Sequence, residues 1–410
     1  MRVLYSFPHK IGAARICYTA WEQVRGLAAA GAEVTVLPGV VSRPLPASVM
    51  VCPTLAWGKL RIPYKLLGRM GACILHDRIV ARRLEKMAGE VDIVHCWPLG
   101  CLETLKTAKR LGIPTVLERP NAHTRLCYET VAAECRRIGV SMPHHDYKPD
   151  EQVLTREEQE FDLAFRLLCP SEFTSQSFLD RGFNSKKLLR HTYGFDEEAF
   201  VPTLRPSERP KKFTALFVGV DAVRKGLHLA LEAWLTSPAS RDGQFLVAGE
   251  LSSEYKKRFA QQLSHTSVCL LGHRNDVPEL MRKTDILLMP SLEEGFGLVC
   301  VEAIGSGCVP LVSKACTEAC QHMHNALVHP IGDTQTLTRH ITMLYEDRFL
   351  LWKLRETCIR ERRNYTWTAA GQKLLGAYQV AIDSYTTVRN QRALGEFPEI
   401  APQPNAPAAN

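Results

Sequence analysis

Residues 285–303 read DILLMPSLEEGFGLVCVEA. After Asp285 the run Ile286 to Pro290 is apolar throughout, the pattern of a strand buried on both faces in a parallel sheet. Gly295 and Gly297 then break the chain before a second apolar run, so a tight turn enters a helix. Free backbone N–H groups at such a helix start suit a phosphate, and the two glycines let a ligand come close to the backbone. Glu294 and Glu302 are eight positions apart, roughly two helical turns, so both carboxylates can face one ligand. A carboxylate repels a phosphate, so the pair makes sense as acceptors for sugar and ribose hydroxyls. The plainer alternative is an ordinary helix N-terminus at which Glu293 and Glu294 only favour the dipole.

The same alternation extends in both directions. Phe213 to Gly219, Phe245 to Gly249, Val268 to Leu271 and Val309 to Val312 read as strands, with helical patterns between them. Upstream, residues 200–212 hold three prolines and no apolar period, the mark of a linker. Before it comes a second series. Arg2 to Phe7, Glu33 to Leu37, Val91 to Trp97, Ile113 to Glu118 and Leu167 to Pro170 read as strands. Tyr18 to Ala30, Leu102 to Leu111 and a segment from Glu172 read as helices. Two sets of βα units separated by a proline-rich hinge imply two doubly wound α/β domains, and a chain of 410 residues is long enough for two cores. Ligands of such sheets bind at the C-terminal strand ends, so the cleft between the domains is the expected site.

Composition narrows the function. Fourteen cysteines without a CxxC pair suit a reducing cytoplasm. No apolar run is long enough to span a bilayer, and the N-terminus reads as a strand that starts at once rather than as a signal peptide. A net charge of +8 fits an anionic substrate or an anionic membrane surface, and no nucleic-acid motif is present. Lys59 to Lys86 mixes basic and apolar residues and fits either a membrane-surface helix or a helix with a solvated basic face. Cys316, Cys320, His322, His324 and His329 match none of the strong zinc spacings. The tail from Gly395, rich in Pro, Ala and Asn, has the composition of a disordered segment.

The string from Glu294 to Glu302, followed by Ala303-Ile304-Gly305-Ser306-Gly307 and the strand Val309–Val312, resembles the E-x7-E signature of family 4 retaining glycosyltransferases (glycosyltransferase group 1). The resemblance extends over most of the chain. Phe217-Val218-Gly219 with Arg224-Lys225-Gly226 resembles that family's phosphate-binding turn, although many members carry Arg directly after the glycine and this chain has Val220. Tyr193-Gly194-Phe195-Asp196 resembles the segment before the linker, and Tyr365-Thr366-Trp367 the segment before the last helix. The resemblance implies the GT-B fold: two Rossmann-like doubly wound domains facing a cleft, with the last helix returning to the N-terminal domain. Its implied boundaries are an acceptor-side domain over 1–200, a linker over 201–212 and a nucleotide-sugar domain over 213–368. A returning helix over 369–390 and a tail over 391–410 complete the chain.

The resemblance also implies a metal-independent enzyme that moves a sugar from a nucleoside-diphosphate donor, such as a UDP- or GDP-sugar, to a hydroxyl with retention of configuration. Arg224 and Lys225 would offset charge growing on the leaving diphosphate. Glu294 would hold the sugar and Glu302 the ribose. Gly295, Phe296, Gly297, Leu298 and Gly219 would line the donor site, with Gly12 in the first domain's glycine loop. His123, in a loop where the family often has a histidine near the transferring sugar, is a catalytic candidate. The alternative for His123 is a loop histidine with a backbone partner, and His95 reads as a packed structural histidine. The acceptor, a glycan, a lipid-linked sugar or a small molecule, would lie against the first domain, where the insertion from Thr124 to Glu160 would shape its choice. The expected location is cytoplasmic, with peripheral contact at the inner membrane surface through 59–86. Two other classes share the fold: a sugar-nucleotide epimerase or hydrolase, and a non-catalytic subunit that binds nucleotide sugar.

Overall fold

A computed structural model of the chain describes residues 1–58, 60–62, 64–142, 150–203, 212–220 and 222–394. The expected linker core (204–211), the tail from Gly395 and Lys59 lie outside the described residues, as do 143–149 of the insertion.

The apolar runs form parallel strands, buried on both faces in the middle of each sheet and part-exposed at the edge strand Val268–Gly272. In the first domain the strands, in chain order, are Arg2–Ile11, Glu33–Val41, Met50–Val51, Ile93–Cys96, Thr115–Glu118, Arg166–Cys169 and Leu188–Arg190. Numbered within the domain they lie in the order 3-2-1-4-5-6-7, all parallel. The second domain contributes Thr214–Val218, Gln244–Ala248, Val268–Gly272, Ile286–Met289, Val309–Ser313 and Leu327–His329. These are again all parallel, in the order 3-2-1-4-5-6. Each order reverses beside its first strand, which opens a crevice there at the C-terminal strand ends.

The first strand and its neighbour run further than their alternation suggests, to Ile11 and Val41, through a register shift between Phe7 and Lys10. Met50–Val51, Leu188–Arg190 and Leu327–His329 are absent from the sequence reading, because runs of two or three residues carry no period.

Several connections tie the domains together among the described residues, three of them away from the turn at Gly295. Phe195 N–H donates to the Tyr365 carbonyl (3.0 Å) and Trp367 N–H to the Phe195 carbonyl (3.3 Å), so the two chain crossings pair with each other. The helix Trp367–Ala393 then returns to the first domain. Its Leu374, Ala377, Tyr378 and Ala381 share one apolar cluster with Val3, Tyr5, Val24 and Leu27. Gly371 meets Gly26 of the helix Ile16–Ala29 so closely that a Cβ on Gly371 would overlap the Gly26 backbone.

The third connection is the helix Thr124–Ile138. By chain order it belongs to the first domain. Its Cys127, Val131, Cys135 and Ile138 are nevertheless buried in the second domain's core with Phe217, Leu227 and Tyr255. The Glu134 carboxylate meets His228 Nε2 at 2.6 Å, and Arg258 Nε donates to the Ile138 carbonyl at 2.7 Å.

The basic stretch forms the helix Tyr64–Lys86, kinked at Gly68. It buries Ala72, Cys73, His76, Val80 and Leu84 and leaves Arg78 and Arg82 exposed. No described helix is long and apolar enough to cross a membrane.

Candidate functional site

The strand Ile286–Met289 ends at the cleft, and the chain turns through Ser291 to Gly297 into the helix Leu298–Ser306. Gly297 sits at φ 80°, in the left-handed region that side chains rarely adopt, and this sets the helix start. The parallel turn after Thr214–Val218 carries Arg224 and Lys225. A Cβ on Gly219 would overlap Lys225 Cδ, so the bare glycine makes room for the lysine stem. Leu292 N–H donates to the Arg224 carbonyl at 2.8 Å, which locks the two turns together.

The two turns bring three of the expected residues into contact. Lys225 Nζ lies 3.1 Å from Glu294 Oε2 and Arg224 Nη1 3.2 Å from Glu294 Oε1. Burial alone would push the Glu294 carboxyl up; Arg224 and Lys225 more than reverse this and hold it down to about 2. Glu302, on the helix that follows, is half-buried, with no hydrogen-bond partner among the described residues. Burial raises its carboxyl to about 7; Lys225 opposes the rise and Asp196 adds to it. The two carboxylates thus stand apart chemically: one permanently charged between two cations, the other poised near neutrality. Phe296 is buried with its ring edge-on to Tyr193 (5.3 Å), and Leu298 opens the helix.

The structure corrects one expectation at this turn. The space over Gly295 is not left for a ligand. It is filled by the first domain, because a Cβ there would overlap the Pro120 carbonyl oxygen. The Gly295 carbonyl accepts from Thr174 Oγ1 at 2.8 Å. Glu293, read from the sequence only as a dipole partner, is fully buried at this contact. It accepts the Ala122 N–H (3.3 Å) and the Cys127 thiol (3.2 Å) and meets Arg224 Nη1 at 3.4 Å. The signal was the Glu293-Glu294 doublet itself; which of two adjacent carboxylates faces which domain is a tertiary matter.

His123 stands on the first-domain side of this contact. Its Nδ1 accepts the Arg125 N–H (3.3 Å), capping the helix Thr124–Ile138, and its ring packs against Phe161 and Phe178 at 5.6 and 5.1 Å. Burial, aided by Arg119, lowers its pKa to about 3. Gly12 lies in the turn after Arg2–Ile11, with its N–H bonded to the Cys17 carbonyl. Tyr18 follows; its hydroxyl is 3.4 Å from Asp196, which brings the first domain near Glu302.

His95 is fully buried, stacked on Tyr5 at 4.3 Å and bonded to the Tyr378 hydroxyl at 2.6 Å. The segment from Cys316 to His329 does not converge: His324 Nε2 meets Glu361 at 3.0 Å, and His322 Nδ1 accepts the Val328 N–H. No group of three His, Cys, Asp or Glu side chains that could hold a metal occurs among the described residues.

Residues 203–365 match the family model for glycosyl transferases group 1. The chain is 28% identical over 155 residues to the lipopolysaccharide glucosyltransferase WaaG of Escherichia coli K12, covering 37% of this chain and 38% of that protein. It is 23% identical over 236 residues to the N,N'-diacetylbacillosaminyl-diphospho-undecaprenol alpha-1,3-N-acetylgalactosaminyltransferase of Campylobacter jejuni, covering 54% and 62%. Sulfoquinovosyl transferase SQD2 of Arabidopsis thaliana is 24% identical over 304 residues, covering 69% and 55%. The aligned segments thus span 38% to 62% of these relatives' length.

Among solved structures, Anabaena Alr3699/HepE in complex with UDP superposes with a TM-score of 0.63 at 17% identity, covering 93% of this chain and 100% of that one. The crystal structure of WaaG superposes with a TM-score of 0.62 at 16% identity, covering 91% and 98%. The fold is GT-B, and residues 203–365, most of the second domain, are similar to the glycosyl transferases group 1 family.

Proposed function

We propose that this chain, with its group 1 glycosyl transferase domain in a GT-B fold, moves a sugar from a nucleoside-diphosphate donor to an acceptor hydroxyl with retention of configuration. The observation that carries the reading is the convergence of Arg224 and Lys225 on Glu294 at the Gly297 helix start. Two cations and a helix N-terminus attract a diphosphate, and the carboxylate between them can accept sugar hydroxyls.

With donor bound, the cations transfer from Glu294 to the phosphate oxygens. There they offset charge that grows as the glycosidic bond breaks. Glu294 then holds donor-sugar hydroxyls, and Glu302 ionises to accept from the ribose. Retention follows if the leaving phosphate takes the acceptor's proton on the same face, so no covalent nucleophile is assigned. His123 is assigned a positioning role through the helix it caps. The two cations do the work of a divalent ion, so activity survives EDTA. The relatives that act on lipopolysaccharide and on diphospho-undecaprenol acceptors support a glycan or lipid-linked acceptor here. Such an acceptor places the protein at the cytoplasmic membrane face, with the exposed Arg78 and Arg82 toward the lipid.

A thermal-shift panel of UDP, GDP, ADP and their sugar conjugates tests the donor, because a ligand of the native state raises Tm. Anomeric NMR of the product tests retention. A panel with no stabilising nucleotide, or turnover abolished by EDTA and restored by manganese, overturns the reading.

A further inference from the structure

Arginines around the cleft loops are mostly paired. Arg119 meets Glu157 (2.8 Å), Arg125 meets Glu151 (3.1 Å) and Arg156 meets Asp77 (2.8 Å), while Arg190 bridges to Glu318. Lys10, Arg15 and Arg69 differ: all three are exposed, and none has a carboxylate partner among the described residues.

Their positions converge. Lys10 lies at the cleft end of the strand Arg2–Ile11, and its carbonyl accepts the Ala13 N–H (3.2 Å) in the turn that follows. Arg15 precedes the helix Ile16–Ala29 at φ 61°, ψ −136°. A non-glycine residue in that region is strained and persists only where its surroundings hold it. The helix Tyr64–Lys86 leads into the strand Ile93–Cys96, which is parallel to Arg2–Ile11, so the helix runs back from the cleft end. Its His76 is anchored to Ser6 Oγ at 2.9 Å and to Thr54 Oγ1 at 2.7 Å. Arg69 lies two turns nearer the cleft on that face, ~10 Å along the helix. Lys10 lies ~13 Å along the strand from Ser6, so the two reach the same rim. The rim is electrostatically joined: Arg69 helps burial lower His9 to about 4, and Arg69 and Lys10 both act on the Cys17 thiol.

A diphosphate donor is already matched by Arg224 and Lys225 on the opposite wall. Three exposed cations without a carboxylate partner among the described residues, gathered at the cleft end of the first domain, call for a second anion. We propose that Lys10, Arg15 and Arg69 bind a phosphate or diphosphate group carried by the acceptor. The proposal rests on the transferase reading above, which puts the acceptor against the first domain. A prenyl diphosphate and a phosphorylated sugar share this chemistry.

The test is calorimetric titration of inorganic pyrophosphate into the full chain saturated with UDP, or with GDP where that binds tighter. Pyrophosphate is expected to bind the saturated protein. Arg69→Gln and Lys10→Gln should each weaken it about tenfold, the loss of one charge-assisted contact, with nucleotide affinity within about twofold of wild type. Lys109→Gln, exposed at the far end of the helix Leu102–Leu111 and outside the rim, should change neither. Loss of pyrophosphate binding on nucleotide saturation, or an equal loss of nucleotide affinity in the variants, overturns the proposal, since the cations would then serve the donor. Competition identifies the source: farnesyl diphosphate displacing pyrophosphate marks a lipid acceptor, glucose 1-phosphate a sugar acceptor, and displacement by neither overturns the acceptor assignment. If no nucleotide binds wild type, the transferase reading fails. Arg69-dependent pyrophosphate binding to the free protein would then support the anion rim alone.

Discussion

Glu294 and Glu302 occupy the two ends of one eight-residue spacing, and their surroundings drive them in opposite directions, to about 2 and about 7. This separates the effects of their amides. Hydrogen bonds to a charged group contribute roughly 1.5–3 kcal/mol each, one to two powers of ten in rate. Glu294→Gln is expected to lower kcat by at least tenfold while nucleoside-diphosphate affinity stays near wild type, because the sugar contacts tighten as the ring flattens. Lys225→Ala should lower both. Glu302→Gln should weaken nucleotide binding, and its pH profile is the sharper check. In wild type the carboxylate that accepts from ribose forms as pH rises through 7, so affinity should climb between pH 6 and 8; in Glu302→Gln the profile should be flat. The folded state also binds this proton more tightly than the unfolded chain, so the residue costs stability progressively above pH 4.5. Glu302→Gln should therefore stabilise at pH 8 by ~1–2 kcal/mol, allowing for partial exposure, and have no effect at pH 4 in thermal melts. Both carboxylates and both cations are legible in the sequence. The clamping role of Glu293 is not, because it depends on Ala122 and Cys127 arriving from another domain.

At the level of elements, the helix Thr124–Ile138 is where the sequence reading and the structure part most clearly. Its composition suggests an insertion that shapes acceptor choice; its packing makes it a grip on the second domain. Val131 is fully buried in that foreign core. Val131→Asp places an unpaired charge there, which is strongly unfavourable, and the simplest relief is release of the helix. Small-angle scattering should then report a larger radius of gyration with the helical signal of circular dichroism kept. An unchanged radius in a folded variant would show that the helix does not hold the domains together. Amphipathic periodicity can say that a helix has an apolar face; it cannot say whose core that face enters.

Over the whole molecule, burial lowers the pKa of His76, His95 and His123 to about 3 and of His9 and His340 to about 4. The unfolded chain protonates them near 6.5 and the folded one does not, so their neutral burial is tolerated above that pH and penalised as pH falls. Tm should hold steady above pH 6.5 and drop steeply between 6.5 and 4, and His76→Gln should blunt the fall. The returning helix offers a second global check. Gly371→Val would drive a side chain into the Gly26 backbone, so Tm should drop and limited proteolysis should free the C-terminal helix. From the sequence alone came two parallel α/β units and the Arg224, Lys225 and Glu294 cluster, because apolar runs and glycine turns are local and fix the nearby backbone. Only the tertiary structure decided that Pro120 fills the space over Gly295, that His123 caps a helix, and that one helix of the first domain belongs to the core of the second. These are contacts between residues far apart in the chain, and no local pattern determines how two domains meet.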